Sequence, residues 1–407
     1  MTSADPIDIK QYWYQLPEGR IARYPLPDRD QSKLLTYMGG KISHQRFESL
    51  PHLLPGSSCL AFNNTRVIQA RLQFRKPTGA RIELFCLEPV DPLDFQQAFE
   101  TTRFCRWRCL VGNAKKWKTG AVLMSSSFSG ETLMVKAWNR GQSGDSYLID
   151  FAWEDTRFTF AEIIEGSGST PIPPYLNRQA EASDKIRYQT IYSKLNGSVA
   201  APTAGLHFTE EILRKLSQEG FRTAELTLHV GAGTFVPVKS RDARHHTMHN
   251  ERVHVSRVFL EQWLRQPEQL IAVGTTSTRS LESLYWLGVK LMEGLVFNPE
   301  YLEILQWDDE KLMGHIPLEE SLNALLEFCT VHELDDLQFG TQLMIVPGYQ
   351  FRTIKGLITN FHMPGSTLLL LIAALIGEDW RKVYAYALEN EFRFLSYGDS
   401  SLLLPHV

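Results

Sequence analysis

The sequence predicts an α/β protein into which a small β-rich domain is inserted. From about Asp184 onward, short apolar runs alternate with helical patterns, which is typical of a core with parallel strands. Between Arg71 and Asp155, short strands separated by glycine and serine replace that alternation. The segment 166–174 is rich in glycine and proline, as linkers are. We therefore predict a discontinuous core of residues 1–70 and 168–407 and an inserted β-rich domain of residues 71–167.

The elements of the core follow from apolar periodicity and capping residues. A helix near 43–50 precedes a strand at 58–62. Thr209 caps a helix that ends near Glu219, and Ser366 caps a strongly apolar helix at 367–376. The remaining predicted core elements are strands at 223–230, 270–273, 356–361 and 392–395 and helices at 258–265, 279–286 and 380–390. Because strand, loop and helix follow one another, we expect parallel pairing.

The inserted domain combines short strands with an excess of positive charge. Apolar runs at 80–87, 106–111, 121–124, 132–138 and 146–151 predict a small sheet or barrel. Residues 64–120 hold 11 Lys and Arg against 5 Asp and Glu, although the whole chain has a net charge of −4. This asymmetry favours a polyanion such as RNA, and a solvated basic face is the alternative. Phe104, Trp107 and Trp117 lie among these charges, where they are able to stack on bases or to cover basic side chains.

Composition indicates an ordinary globular protein of the cytoplasm. Hydrophobic residues make up 43% and charged residues 22% of the 407 residues. The chain has no apolar run long enough for a transmembrane helix, and its first residues do not resemble a signal peptide. The five cysteines form no CxxC pair, so we expect neither a disulfide framework nor a zinc site.

Four segments share an unusual mixture of glycine, small hydroxyl residues and a histidine or arginine. They are residues 201–209, 228–235, 273–279 and 359–366, each at the edge of an apolar run, and residues 396–399 add a fifth polar loop. Loops at strand ends are where α/β proteins place their sites. We therefore predict that these loops form one pocket.

The chemistry of these loops excludes some site classes and leaves others open. No dinucleotide fingerprint, phosphate-binding P-loop or glycine-rich methyltransferase turn is present. Segments 273–279 and 359–366 each open a helix, where free N–H groups favour a carboxylate or phosphate, with simple helix capping as the alternative. His207, His229 and His362 are candidates for proton transfer or for structural hydrogen bonds. His245 and His249 have helical spacing but lack the glutamate of a zinc motif, so we expect no metal site.

Taken together, these segments resemble the S-adenosylmethionine:tRNA ribosyltransferase-isomerase family of queuosine biosynthesis. The two most specific blocks are residues 197–209 and 228–235, and shorter matches occur at 14–22, 29–35, 61–68, 171–175, 246–251, 274–283, 359–362 and 394–399. The resemblance therefore runs nearly from end to end. Departures are Thr278, Met363 and Gly365 and a longer segment at 302–333.

The resemblance implies a fold and a reaction. The fold is a distorted α/β-barrel-like core with an inserted small β-barrel domain. The reaction transfers and isomerises the ribosyl group of S-adenosylmethionine onto a 7-aminomethyl-7-deazaguanine base at the tRNA wobble position. The products are epoxyqueuosine in tRNA, adenine and methionine. S-adenosylmethionine is then a co-substrate, no cofactor is expected, and the partners are S-adenosylmethionine and tRNA, with no membrane. We expect a monomer.

The resemblance also implies roles for residues of this chain. Proton transfer falls to His207, His229 and His362. The residues expected to bind the nucleoside and methionine parts are Thr203, Gly205, Gly231, Gly233, Thr276, Ser277, Arg279 and Asn360. Those expected to meet tRNA are Arg66, Arg71, Lys115 and Lys116. The alternatives are a paralogue with a different acceptor, a non-catalytic RNA-binding relative and, more weakly, a methyltransferase.

Overall fold

The structure, a computed structural model, describes residues 6–128, 131–231, 240–265, 269–296 and 298–405. Strands in the first part of the chain are β1 Lys33–Met38, β2 Lys41–Arg46, β3 Ser58–Asn63, β4 Thr65–Val67, β5 Arg71–Arg75, β6 Arg81–Asp91, β7 Phe104–Gly112, β8 Val122–Phe128, β9 Glu131–Ser143 and β10 Ser146–Trp153. Those that follow are β11 Leu195–Ser198, β12 Arg222–His229, β13 Glu251–Ser256, β14 Gln269–Val273, β15 Glu303–Ile304, β16 Asp336–Thr341, β17 Gly356–Asn360 and β18 Ser400–Leu404. The α-helices are α1 Phe95–Glu100, α2 Phe160–Ser167, α3 Asp184–Arg187, α4 Glu210–Gln218, α5 Arg257–Arg265, α6 Thr275–Met292, α7 Leu318–Val331, α8 Thr367–Ile376 and α9 Asp379–Glu389.

Two β structures dominate the described part of the chain. A ten-stranded sheet has the order β15-β16-β13-β12-β3-β14-β17-β18-β1-β2, and strands β5 to β10 close into a barrel of order β10-β7-β6-β5-β8-β9. The predicted α/β class with an inserted β-barrel is thereby confirmed. The core strands form a sheet of mixed direction. The division of the chain at residues 70 and 168 stays a prediction.

The direction of the strands determines where their loops meet. Neighbours β12, β3, β14 and β17 are parallel, so their carboxyl ends lie at one edge of the sheet. Strand β18 runs antiparallel to β17, with Asn360 opposite Ser400, which brings the loop before β18 to the same edge. This edge therefore collects loops that are far apart in sequence. The expectation of parallel pairing holds for these central strands and for β18 with β1, whereas β13 pairs antiparallel with both of its neighbours and β18 pairs antiparallel with β17.

Both faces of the large sheet are covered by apolar side chains. Leu270 and Ala272 of β14 pack in a core with α6, whereas Ile271 and Val273 pack in a second core with α4. This alternation follows from the period of two along a strand, and it explains why β14 is apolar throughout. The barrel has its own core, to which α1 and α2 contribute Phe95, Phe99 and Phe160.

Several sequence predictions of single elements are confirmed, and two are wrong. Thr209 caps α4 by accepting from the Ile212 N–H at 3.3 Å, and Ser366 caps α8 through Leu369 at 3.2 Å. The predicted helix near 43–50 is instead β2 followed by a 3-10 helix at Phe47–Leu53. That segment contains Pro51, which lacks the N–H of a regular α-helix.

The second error concerns the predicted strand at 392–395, which is irregular. Leu395 has a φ of 70°, outside the extended region. The strand of this segment is β18, five residues further on, and the polar loop 396–399 leads into it.

Candidate functional site

A cavity of about 280 Å³ lies at the edge of the sheet where the parallel strands end. It is lined by residues 200–204, 230, 274–276, 359–364 and 395–396, together with Pro174, Tyr175, Ser366 and Leu368. All five polar loops of the sequence therefore contribute to one cavity. The lining is mostly apolar with a few hydroxyl, amide and imidazole groups, the usual character of a small-molecule site.

Four of the predicted binding and catalytic residues line this cavity. They are Thr203, Thr276, Asn360 and His362. Thr203 and Thr276 are half-buried, whereas Asn360 and His362 are buried. These four come from three loops that are separated by more than seventy residues of sequence, so the convergence results from the fold and not from chain proximity.

The remaining predicted binding residues lie around the cavity or beyond its lining. Gly205 packs beneath its loop, where a Cβ would lie 1.8 Å from the Tyr192 hydroxyl oxygen, so its role is close packing. The Ser277 hydroxyl is buried and donates to the Val273 carbonyl at 2.9 Å. Gly231 lies beside His249, and Gly233 lies outside the described residues.

His362 is the predicted histidine that borders the cavity. Its Nε2 lies 3.1 Å from the Thr359 hydroxyl, and its backbone N–H donates to the Tyr384 hydroxyl at 3.1 Å. Burial lowers the pKa of His362 to about 3. The imidazole is therefore neutral at physiological pH.

His207 lies behind Asn360 and not in the cavity lining. Asn360 Nδ2 is 3.1 Å from His207 Nε2, and His207 Nδ1 is 2.7 Å from the Ser32 hydroxyl. Burial, with the nearby charge of Arg393, lowers the pKa of His207 to about 3. The structure thus brings His207 to the site as a neighbour of a lining residue.

His229 points away from the cavity. Its ring stacks on Phe95 with centroids 4.0 Å apart and planes 4° apart, and it borders a separate crevice with His254 and Asp94. The reason is the period of two along a strand, because the next residue, Val230, faces the cavity. The prediction that His229 acts beside the other two histidines is not supported by this placement.

A smaller polar compartment adjoins the cavity and contains Arg279. Arg279 donates from Nη2 to Glu251, which also bonds His249 Nε2 at 2.9 Å. Burial alone would raise the pKa of Glu251, but the charge of Arg279 and the bond from His249 outweigh it and lower the pKa to about 2. Glu251 is therefore a buried carboxylate.

The basic residues predicted to meet tRNA differ in their surroundings. Lys115 and Lys116 are exposed on the 3-10 turn after β7, and Arg66 is exposed on β4. Arg71 pairs with Glu83 at 3.8 Å, and its guanidinium lies 5.1 Å from the ring centroid of Phe85. Its charge is thus partly balanced within the barrel.

Two of the three aromatic residues considered for base stacking are buried in the barrel. Trp107 and Trp117 are 0% and 1% exposed, so the prediction that they stack on bases is wrong. They belong to the apolar core of the barrel, and of the three aromatic residues considered for this role it is Phe104 that is exposed.

Some site residues were missed in the sequence. Tyr175 lines the cavity, where it shares a short hydrogen bond with Ser396 of the fifth polar loop, and burial raises the pKa of Tyr175 to about 12. Glu251 was missed as the partner of Arg279, and His249 as the partner of Glu251. One signal was available for Glu251, because it shares the inward face of β13 with Val253 and Val255, and an acidic residue on an apolar face needs a buried partner.

Across the ranges that the structure describes, no three His, Cys, Asp or Glu residues are grouped so that they could hold a metal ion. Within the same ranges, the helices are too short or too polar to cross a membrane.

Comparison with known proteins gives consistent matches over the length of the chain. The model of the family described as "Queuosine biosynthesis protein" matches residues 9–403. The chain is 35% identical over 402 residues to an S-adenosylmethionine:tRNA ribosyltransferase-isomerase of Pelobacter propionicus, covering 97% of this chain and 99% of that protein. A protein of the same name from Trichlorobacter lovleyi is 34% identical over 404 residues, with coverage of 97% and 99%.

A solved structure was also matched. It is the S-adenosylmethionine tRNA ribosyltransferase of Thermotoga maritima, 24% identical, with a TM-score of 0.46 over 97% of this chain and all of that one.

Proposed function

The chain belongs to the family of S-adenosylmethionine:tRNA ribosyltransferase-isomerases of queuosine biosynthesis, and from this premise we propose that the cavity at the carboxyl edge of its sheet is where the reaction takes place. The enzyme transfers the ribosyl group of S-adenosylmethionine to the aminomethyl group of a 7-deazaguanine base in tRNA. Adenine and methionine leave, and the ribosyl group is isomerised to the epoxide of epoxyqueuosine.

One observation carries the assignment of the site: five polar loops that are distant in sequence line a single cavity. Its volume of about 280 Å³ and mostly apolar lining suit a nucleoside held by a few polar groups. Mere binding of RNA at the surface would not require such a cavity. This supports an enzyme over a non-catalytic RNA-binding relative.

The reaction needs a base and a group that assists the departure of adenine. The sulfonium acidifies the neighbouring ribose carbon, and removal of a proton from that carbon leads to ring opening and expulsion of adenine. The amine of the acceptor base then attacks, and the epoxide forms as methionine leaves. His362 is our candidate for proton transfer, because its imidazole lies in the lining of the cavity, within reach of a bound ligand.

Asn360, Thr203 and Thr276 are our candidates for binding S-adenosylmethionine in this cavity. Asn360 Oδ1 is buried without a hydrogen-bond partner among the described residues, so a donor on the bound nucleoside would satisfy it. His207 acts through Asn360 and is a positioning residue. Gly205, Gly231 and Ser277 shape the loops that carry these groups.

The tRNA-binding residues, the oligomeric state, the cellular location and the absence of a cofactor are also proposals. Lys115, Lys116 and Arg66 contact tRNA phosphates, since they are exposed and basic. The protein acts as a monomer in the cytoplasm, without a cofactor and with S-adenosylmethionine as co-substrate.

Product analysis tests the proposed reaction. The protein is incubated with S-adenosylmethionine and tRNA carrying 7-aminomethyl-7-deazaguanine, and the small molecules are separated by chromatography. We expect adenine and methionine in equal amounts, and none with tRNA that carries guanine. S-adenosylhomocysteine as product would indicate a methyltransferase. Adenine release with another acceptor only would indicate the paralogue, and no release at all would indicate a binding protein.

A further inference from the structure

The compartment beside the main cavity contains polar groups that have no role in the site described above. It has a volume of about 30 Å³, is bordered by His249, Glu251 and Arg279, and shares Thr276 and Leu368 with the main cavity. A ligand in the main cavity is therefore able to extend one end into it. The inference below rests on the proposed function, in which that ligand is S-adenosylmethionine.

Arg279 is buried with unused hydrogen-bonding capacity. It is 7% exposed and pairs with Glu251 through Nη2, while its Nε is buried without a partner among the described residues. A guanidinium has five N–H donors and leaves few of them unsatisfied when it is buried. The unpartnered donor indicates a missing acceptor in this compartment.

The start of helix α6 adds positive potential at the same place. The 18-residue helix begins at Thr275, and the Thr278 N–H bonds the Gly274 carbonyl at 3.1 Å. The N–H groups of the residues before Thr278 have no partner within the helix, which favours an anion next to Thr276. Arg279 and the start of α6 therefore both favour an anionic ligand group that accepts hydrogen bonds.

Size decides which end of S-adenosylmethionine enters. A volume of about 30 Å³ holds one or two water-sized groups, so a carboxylate fits and a purine ring does not. The adenosyl part must then occupy the main cavity. This orientation places the sulfonium, which joins the two parts, near the shared residue Thr276.

We propose that this compartment binds the carboxylate of the methionine part of S-adenosylmethionine, with Arg279 as its direct partner and Glu251 and His249 as positioning residues. Glu251 holds the guanidinium and offsets its charge while the compartment is empty. His249 fixes Glu251 from its other oxygen. Arg279 is therefore a specificity-determining residue for a ligand that carries a carboxylate.

Decarboxylated S-adenosylmethionine is the direct probe, because it keeps the sulfonium and the adenosyl group and lacks only the carboxylate. Binding of both compounds is measured by calorimetry without tRNA. We expect the wild-type protein to bind S-adenosylmethionine about 10- to 100-fold more tightly, as a charge-assisted hydrogen bond implies. Equal affinities would overturn the proposal.

Variants of Arg279 and Glu251 test whether this pair binds the carboxylate of S-adenosylmethionine. The neutral double variant Glu251→Gln/Arg279→Gln should lose this preference to within about threefold while retaining its affinity for the decarboxylated compound. Arg279→Lys keeps a positive charge opposite Glu251 and replaces the double variant if that variant does not fold. Because lysine lacks the planar fork of a guanidinium, the preference for S-adenosylmethionine over the decarboxylated compound should fall about tenfold in Arg279→Lys. A preference that persists in the folded variants would contradict the assignment to Arg279.

The matched control removes a second ion pair that α6 makes, between Lys290 near its end and Asp308 on a later turn. Lys290 and Asp308 lie 2.6 Å apart, and Lys290→Gln/Asp308→Asn should leave the preference unchanged. Adenine release by the wild-type protein distinguishes failure of the carboxylate site from failure of the proposed function. If adenine is released but both ligands bind equally, this inference alone is wrong, whereas absence of release counts against the proposed function.

Discussion

Asn360 donates a hydrogen bond of 3.1 Å from its Nδ2 to the Nε2 of His207, and this contact fixes the orientation of both side chains. An amide nitrogen only donates, so Nε2 accepts and the ring proton is on Nδ1, which faces the Ser32 hydroxyl at 2.7 Å. Ser32 in turn donates to the Arg29 carbonyl at 3.2 Å. His207 thus holds a lining residue in place.

Removal of the acceptor at residue 207 should weaken binding of S-adenosylmethionine. In His207→Leu the Asn360 amide loses one partner, so we expect the Kd to rise about tenfold, as for one buried hydrogen bond. His207→Gln retains an acceptor and should remain closer to the wild type. The pH profile of adenine release should stay the same in both variants. If the pH profile lost its acidic or basic limb while the affinity for S-adenosylmethionine stayed the same, His207 would instead be shown to transfer a proton.

Replacement of His362 should affect chemistry more than binding. His362→Gln keeps a polar side chain but cannot transfer a proton, so we expect single-turnover adenine release to fall about 10²- to 10⁴-fold. The Kd for S-adenosylmethionine should change by less than about threefold. His44→Gln, an exposed histidine on β2, is the matched control. Wild-type rates in His362→Gln would remove His362 from the mechanism.

The buried histidines should make the protein sensitive to acid. His207 and His362 have native pKa values of about 3, against about 6.5 in the unfolded chain. Between these values the unfolded state binds more protons, so the free energy of unfolding falls as pH is lowered below about 6.5. At pH 5 each histidine should cost about 2 kcal/mol.

Urea denaturation at two pH values measures this effect. The difference in unfolding free energy between pH 7.5 and pH 5 should be smaller by about 2 kcal/mol in His362→Gln than in the wild type. The same difference in both proteins would mean that the native imidazole is not held neutral. His44→Gln, which removes an exposed histidine, serves again as the control.

The lysines of the barrel should contribute to tRNA affinity through charge alone. Lys115→Ala/Lys116→Ala should weaken tRNA binding and reduce the slope of log K against log salt by about 1 to 2, because fewer counterions are released. Binding of S-adenosylmethionine should not change. Lys10→Ala/Lys311→Ala removes two exposed lysines outside the barrel and should leave the slope intact. Equal slopes in the wild type and in both double variants would show that Lys115 and Lys116 do not contact tRNA.

Sequence reasoning predicted the meeting of the loops well because strand direction determines it. The loops at 201–209, 273–279 and 359–366 were recognisable from glycine, hydroxyl groups and a histidine or arginine beside apolar runs. Parallel strands then bring their carboxyl ends to one edge. The location of the site therefore follows from local signals and one general rule.

The direction of individual side chains was harder to predict. His229 and Val230 differ by one position, and that difference decides which of them faces the cavity. Trp107 lies among arginines in sequence, yet strand alternation turns it into the barrel core. The pairing of Glu251 with Arg279 joins β13 to α6, a contact that only the tertiary structure determines.

Above all, we propose that S-adenosylmethionine binds in the cavity formed by the five loops. A crystal structure of the protein with S-adenosylhomocysteine tests it most directly. We predict density for the nucleoside between Thr203 and Asn360, with the amino-acid end directed towards Arg279. Density in the crevice beside His229 and Phe95, with the main cavity empty, would contradict the account.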